Sequence, residues 1–127
     1  MKLRIRDNAI RLRLTQGEVA TLAKDGRLAA QTAFPEARRF GYAIESSPAC
    51  VAPAAYYTDQ GITVRLPESA VLAWAASGQV AIAGEQRLDD GALLTLLVEK
   101  DFACLAPRPG EDDSDTFPHP EADAGRC

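Results

Sequence analysis

The chain has 127 residues, 46% apolar and 25% charged, as expected of one ordinary domain large enough for its own core. No apolar run approaches the roughly 20 residues needed to span a bilayer. The opening MKLRIRDNAIRLRL also interleaves charges with apolar residues, unlike a secretory signal, so a cytoplasmic location and no membrane association are expected. The formal charge of −4 is unevenly placed. Twelve acids balance twelve bases from Met1 to Ala106, whereas Pro107 to Cys127 hold six acids against Arg108 and Arg126. Three cysteines, an odd number, suit a reducing compartment better than a disulfide framework.

Residues Lys2 to Arg6 alternate, with Leu3 and Ile5 on one face and three basic residues on the other. Asp7-Asn8 predicts a turn, and Ile10, Leu12 and Leu14 a second strand with Arg11 and Arg13 outward. Lys2, Arg4, Arg6, Arg11 and Arg13 therefore form either a solvated basic ladder or an anion or nucleic-acid surface. Thr15 followed by Glu18 is a capping-box signature, which predicts a helix over Gln16–Lys24 ended by Gly26. Strands follow near Arg27–Ala33 and through Phe40, Tyr42 and Ile44. Cys50–Thr58 is expected to be extended, with Pro53 marking an edge or bulge, and Asp59-Gln60-Gly61 is the next turn.

At that point the pattern repeats. Shifted by 52 residues, Ile10, Arg13, Leu14, Val19, Ala23, Gly26 and Ala29 fall on Ile62, Arg65, Leu66, Val71, Ala75, Gly78 and Ala81. Both stretches change from strand period to helical period at the same place, stop at a Gly (Gly26 and Gly78) and resume as a strand. Pro67 opens the second helix, whose inward positions are Val71, Trp74 and Ala75, and Trp74 reads as a core anchor. A strand at Gln79–Ala83, a hairpin turn at Asp89-Asp90-Gly91 and an apolar run Leu93–Val98 complete the unit. That run is expected to be a central strand covered on both faces. After a two-residue insertion, Phe40, Tyr42, Ile44 and Glu45 match Leu94, Leu96, Val98 and Glu99. The fold class expected is α+β: two β-α-β-β repeats, by internal duplication, forming one curved or barrel-like sheet with two short helices. The duplicated domain spans 1–106, and an acidic, Pro-rich tail spans 107–127.

The scaffold carries no Gly-rich phosphate loop, no Cys-x-x-Cys pair and no histidine; His119 lies in the tail between two prolines. No nucleophile–base pair is therefore expected on the predicted elements, and no cofactor site. Cys104, Asp112, Asp113, Asp115 and Cys127, with His119, supply donors for a divalent metal, although their spacing matches no standard zinc site. Three readings stay open for the tail: a solvated acidic run, a Cys104–Cys127 clip, or a metal site. Phe117, the only large apolar residue of the stretch EDDSDTFPHP between those cysteines, is expected to dock in a groove of the domain. Cys50 reads as a small buried hydrophobe.

The residues IRLRLT near the N-terminus, VEKDFACL from Val98, EDDSDTFPHP in the tail and the closing Cys127 resemble a family of small bacterial proteins of unknown function. That resemblance implies no activity, cofactor or partner. It carries the two tail cysteines over onto Cys104 and Cys127. An Asn often stands in the family where this chain has His119, which weakens His119 as a ligand. In addition, NAIRLRLTQGEVATLA and ITVRLPESAVLAW are similar to the strand-then-helix opening of swapped-hairpin (AbrB-like) DNA-binding modules. The Gly-Asp step that follows the helix in those proteins is absent here, and the pI of 4.9 opposes affinity for phosphates. The expected function is a non-enzymatic intracellular interaction module with a protein partner. A swapped-hairpin DNA-binding protein, and a small enzyme or metal-binding protein using the tail, are the alternatives.

Overall fold

A computed structural model of the chain describes residues 1–102 and 115–117. Among them, strands β1 (Lys2–Arg6) and β2 (Ala9–Leu14) lead into helix α1 (Gln16–Asp25), followed by β3 (Arg27–Phe34) and β4 (Arg38–Ser47). The order then recurs as β5 (Ala54–Thr58), β6 (Gly61–Pro67), α2 (Glu68–Ala75), β7 (Ala81–Arg87) and β8 (Leu93–Lys100). The class is α+β, as expected. The strands form two four-stranded sheets, in the orders β1-β2-β8-β7 and β3-β4-β6-β5. This corrects the expectation of a single curved or barrel-like sheet.

Partner choice explains the two sheets. The hairpin before α1 pairs with the hairpin after α2, through the parallel contact of β2 with β8. The hairpin before α2 pairs in the same way with the hairpin after α1, through β6 and β4. Each helix therefore carries the chain from one sheet to the other, and neither half of the chain completes a sheet alone. Ile10, Leu12, Leu14, Ile82, Leu96 and Val98 of the first sheet and Ile44, Ile62, Val64 and Leu66 of the second meet in one core with both helices. Burial of that apolar area is what holds the exchanged hairpins together.

The helix ends follow local chemistry. Thr15 Oγ1 accepts from Glu18 N while Glu18 Oε1 accepts from Thr15 N, completing the capping box. Gly26 closes α1 in the left-handed conformation, at φ 77°, donating to Leu22 O. The second helix departs from its counterpart. It ends at Ala76 with φ −92°, and Gly78 plays no part in the cap. Two buried groups hold the following turn instead: Trp74 Nε1 donates to Val80 O at 3.1 Å, and Lys100 Nζ donates to Ser77 O at 2.7 Å. β7 consequently starts at Ala81 rather than Gln79. Trp74 is fully buried, as a core anchor should be.

Strand β8 is central, but its cover is uneven. Leu93 is 42% exposed, while Leu96, Val98, Glu99 and Lys100 are buried. The expected cover on both faces is reached only at its C-terminal end. There the inward row runs Leu96, Val98, Lys100 beside Ile10, Leu12, Leu14 of β2.

Candidate functional site

The outer face of the first sheet gathers the basic residues singled out in the sequence. Register places Lys2 opposite Arg13 and Arg4 opposite Arg11, with Arg6 opposite Ala9, all on the side away from Leu12 and Leu14. Like charges directly across a sheet repel. Glu99, on the neighbouring β8, offsets two of them: its Oε1 lies 2.6 Å from Arg13 Nε and 2.8 Å from Arg11 Nε. The Arg11 Nε contact is not aligned as a hydrogen bond, and Arg11 Nη2 instead donates to Oε2 at 3.3 Å. Lys2 Nζ lies 3.2 Å from Asp101 Oδ2. Arg4 and Arg6 are exposed and have no carboxylate partner among the described residues. Glu99 is only 9% exposed, so this face is a buried carboxylate gripped by two arginines with free cations along its β1 margin.

The second sheet's outer face is hollow. A groove of about 540 Å³ lies over Gly41 and Ala43 of β4 and Gly61 and Thr63 of β6, with Arg27, Gln31 and Arg39 on one side and Asp59 on the other. Its floor is low because two backbones approach closely there. Gly41 N donates to Gln60 O at 2.8 Å, and a Cβ on Gly61, at φ 126°, would sit 1.9 Å from Gly41 O. Above the groove, Glu45 Oε2 accepts from Arg65 Nη2 at 3.3 Å and its Oε1 lies 3.7 Å from Arg27 Nε. Arg65 also stacks over Tyr56, 4.9 Å from the ring centre. A second hollow of about 430 Å³ continues around the β3–β4 hairpin tip, sharing Arg39, Asp59 and Gly61 and adding Phe34, Arg38, Phe40 and Tyr57. Phe34 is 54% exposed and Tyr57 81%. The tip turns through Glu36 and Ala37, both in the left-handed region at φ 64° and 59°. Two adjacent non-glycine residues there cost about 1–3 kcal/mol each.

Between the sheets and α1, residues Asp115–Phe117 lie against the domain. Asp115 O accepts from Gln16 N, and its carboxylate accepts from Gly17 N at 3.2 Å, where the helix start favours an anion. Phe117 N donates to Asp101 O at 2.8 Å, and the Phe117 ring meets Phe102 edge-on at 5.8 Å. Phe117 docks on the core, as the sequence suggested. It also covers Lys100, whose Nζ lies 5.2 Å from the Phe117 ring and 5.8 Å from that of Trp74. Burial of the ammonium lowers the Lys100 pKa from its ordinary 10.5. In the same first turn of α1, the Met1 amino group pairs with Glu18.

The model of a family of unknown function, DUF7009, matches residues 1–121. The chain belongs to this family. No curated protein and no solved structure matches it. In this DUF7009 member Lys2, Arg4, Arg6, Arg11 and Arg13 share one face, but Glu99 and Asp101 engage three of them. Of the tail donors, Asp115 is turned to the start of α1. Cys104, Asp112, Asp113, His119 and Cys127, with the Cys104–Cys127 pairing, lie outside the described residues. Among the described residues no three His, Cys, Asp or Glu side chains come together as a metal site needs, and no helix is long and apolar enough to cross a membrane. Cys50 is half-buried with a free thiol, its Sγ 3.0 Å from Ala52 O. Sequence reasoning missed Glu99, Glu45 and Lys100. The first two had a signal, since Glu45 and Glu99 match in the repeat as Arg13 and Arg65 do. Lys100 had none, because its counterpart is Ser46.

Proposed function

We propose that the chain is an intracellular interaction module that grips a protein segment at the hairpin end of its second sheet. The observation that carries this reading is the pairing of exposed aromatics with arginines there: Phe34 and Tyr57 flank Arg38 and Arg39 at two adjoining hollows. Aromatic and arginine side chains dominate the contacts that matter at protein interfaces. Arg27, Arg38 and Arg39 outnumber Glu36 and Asp59 around these hollows, so a partner segment rich in carboxylates fits best. Selection from a displayed peptide library on the immobilised chain tests this. Acidic, aromatic-containing peptides should emerge, and Tyr57→Ala or Arg39→Ala should weaken them at least tenfold. Peptides that bind both variants as well as the parent chain would place the contact elsewhere.

The arrangement is best understood as an internal duplication. Matching hydrogen bonds support it: Thr95 N to Asn8 O and Gly41 N to Gln60 O, then Lys100 N to Val80 O and Ser46 N to Gly26 O, all between 2.8 and 3.0 Å. The same exchange of hairpins between halves favours a second reading, that of a swapped-hairpin (AbrB-like) DNA-binding protein using the face of Lys2, Arg4, Arg6, Arg11 and Arg13. The pI of 4.9 and the capture of Arg11 and Arg13 by Glu99 rank it second. A shift on mixed-sequence duplex DNA that weakens with salt and is lost in Arg4→Ala/Arg6→Ala would reverse that ranking.

A further inference from the structure

Among the described residues the two sheets have four edges, and three of them are protected. β1 is short and carries three cations in five residues. β5 and β7 shield each other: Ala55 N donates to Gln86 Oε1 at 2.7 Å, and Gly84 packs so closely on Pro53 that a Cβ there would lie 2.8 Å from its ring. β3 is different. It runs eight residues as RLAAQTAF, with no charge after Arg27, no proline before Pro35 and an exposed C-terminal half.

The direction of its free groups follows from the ladder. Ser46 N donates to Gly26 O, so the alternation of an antiparallel pair binds Leu28, Ala30, Thr32 and Phe34 to β4. The N–H and C=O groups of Arg27, Ala29, Gln31 and Ala33 therefore point off the sheet. We propose that this edge pairs with β3 of a second copy, joining the two second sheets into one eight-stranded sheet across a twofold axis at Gln31. In that register Gln31 faces the partner's Gln31, Ala29 faces the partner's Ala33, and Leu28 faces the partner's Phe34. Side-chain faces are conserved, no charge meets a like charge, and roughly six backbone hydrogen bonds form. Phe34, exposed in one chain, gains an apolar neighbour. The groove over Gly41 and Gly61, which takes Arg27 and Gln31 from β3, then runs on into its partner's groove.

Sedimentation equilibrium of the full chain, from micromolar to millimolar, tests this. The parent should reach twice the mass of one 13.6 kDa chain. Gln31→Pro removes one edge N–H where edge strands tolerate proline, and should weaken association at least tenfold with little change in melting temperature. Gln31→Lys and Gln31→Glu keep the strand intact. Each alone should associate at least tenfold more weakly, and mixing them should restore the dimer. A parent that stays at single-chain mass throughout overturns the inference, as does a dimer indifferent to all three substitutions. Neither result bears on peptide binding through Tyr57 and Arg39, so the two proposals fail separately.

Discussion

In the first sheet Arg11 and Arg13 converge on Glu99; in the second, Thr63 and Arg65 stand in the corresponding places, and Glu45 takes Arg65 with the more distant Arg27. Ala9 and Thr95 of the first sheet answer to Gly61 and Gly41 of the second, where the backbones close to a distance that excludes a side chain. The first sheet thus carries a packed ion-pair face and the second a groove. A few outward positions on the central strands account for the difference. Outward residues contribute little to the core, so they can differ between the sheets while Leu12, Leu14, Val64 and Leu66 keep the fold.

The halves also differ in how they fill the core. Trp74 occupies the place that Leu22 holds in the first half, and both are fully buried. Trp74→Ala should cost about 3–5 kcal/mol and Leu22→Ala about 2–5 kcal/mol, with Trp74 the costlier because it also gives up its bond to Val80 O. Urea unfolding of the two variants gives the comparison, and a Trp74→Ala cost below that of Leu22→Ala would show that the two helices do not share one core equally. The carboxylates come next. Glu99→Gln should cost about 1–3 kcal/mol, since it weakens a buried group holding two arginines. Glu45→Gln should cost less than about 1 kcal/mol, because Glu45 and its partners are more exposed. Equal effects would erase the distinction between a closed and an open face.

The most narrowly confined effect expected, limited to one pH window, is that of Lys100, which stands where the other half has Ser46. Its folded pKa lies below its unfolded value, so in the window between them the unfolded chain binds more protons and stability rises with pH. Lys100→Met should abolish that rise. The stability difference between parent and variant should then change by at most about 1.4 kcal/mol per pH unit inside the window, which ends near the ordinary lysine value. A difference that stays flat up to that value would mean that the ammonium is solvated in the folded chain.

Much of the local structure was legible. Alternation announced β1, β2 and β6; Thr15 with Glu18 announced the start of α1, and Gly26 its end. Those features depend on residues a few places apart. The end of α2 was misread at Gly78 because a side chain distant in sequence, Lys100, holds that turn together with the buried Trp74. Lys100 was illegible for the same reason, as nothing near it in sequence indicates that Phe117 and Trp74 enclose it. The basic ladder was visible, but its neutralisation by Glu99 depends on β8 lying beside β2.

What the sequence by itself determined is the list of elements, their inward faces and the correspondence between Ile10–Ala29 and Ile62–Ala81. Periodicity, caps and turns are written in neighbouring residues, and they fix which side of each strand must be buried. Only the tertiary structure decided that each half lends a hairpin to the other, that two sheets form where one was expected, and that β3 is the open edge among the described residues. Strands with the same alternation satisfy the same hydrophobic demand beside several neighbours. The choice among them is made by the packing of the whole core around Trp74, Leu22 and the two parallel strand pairs.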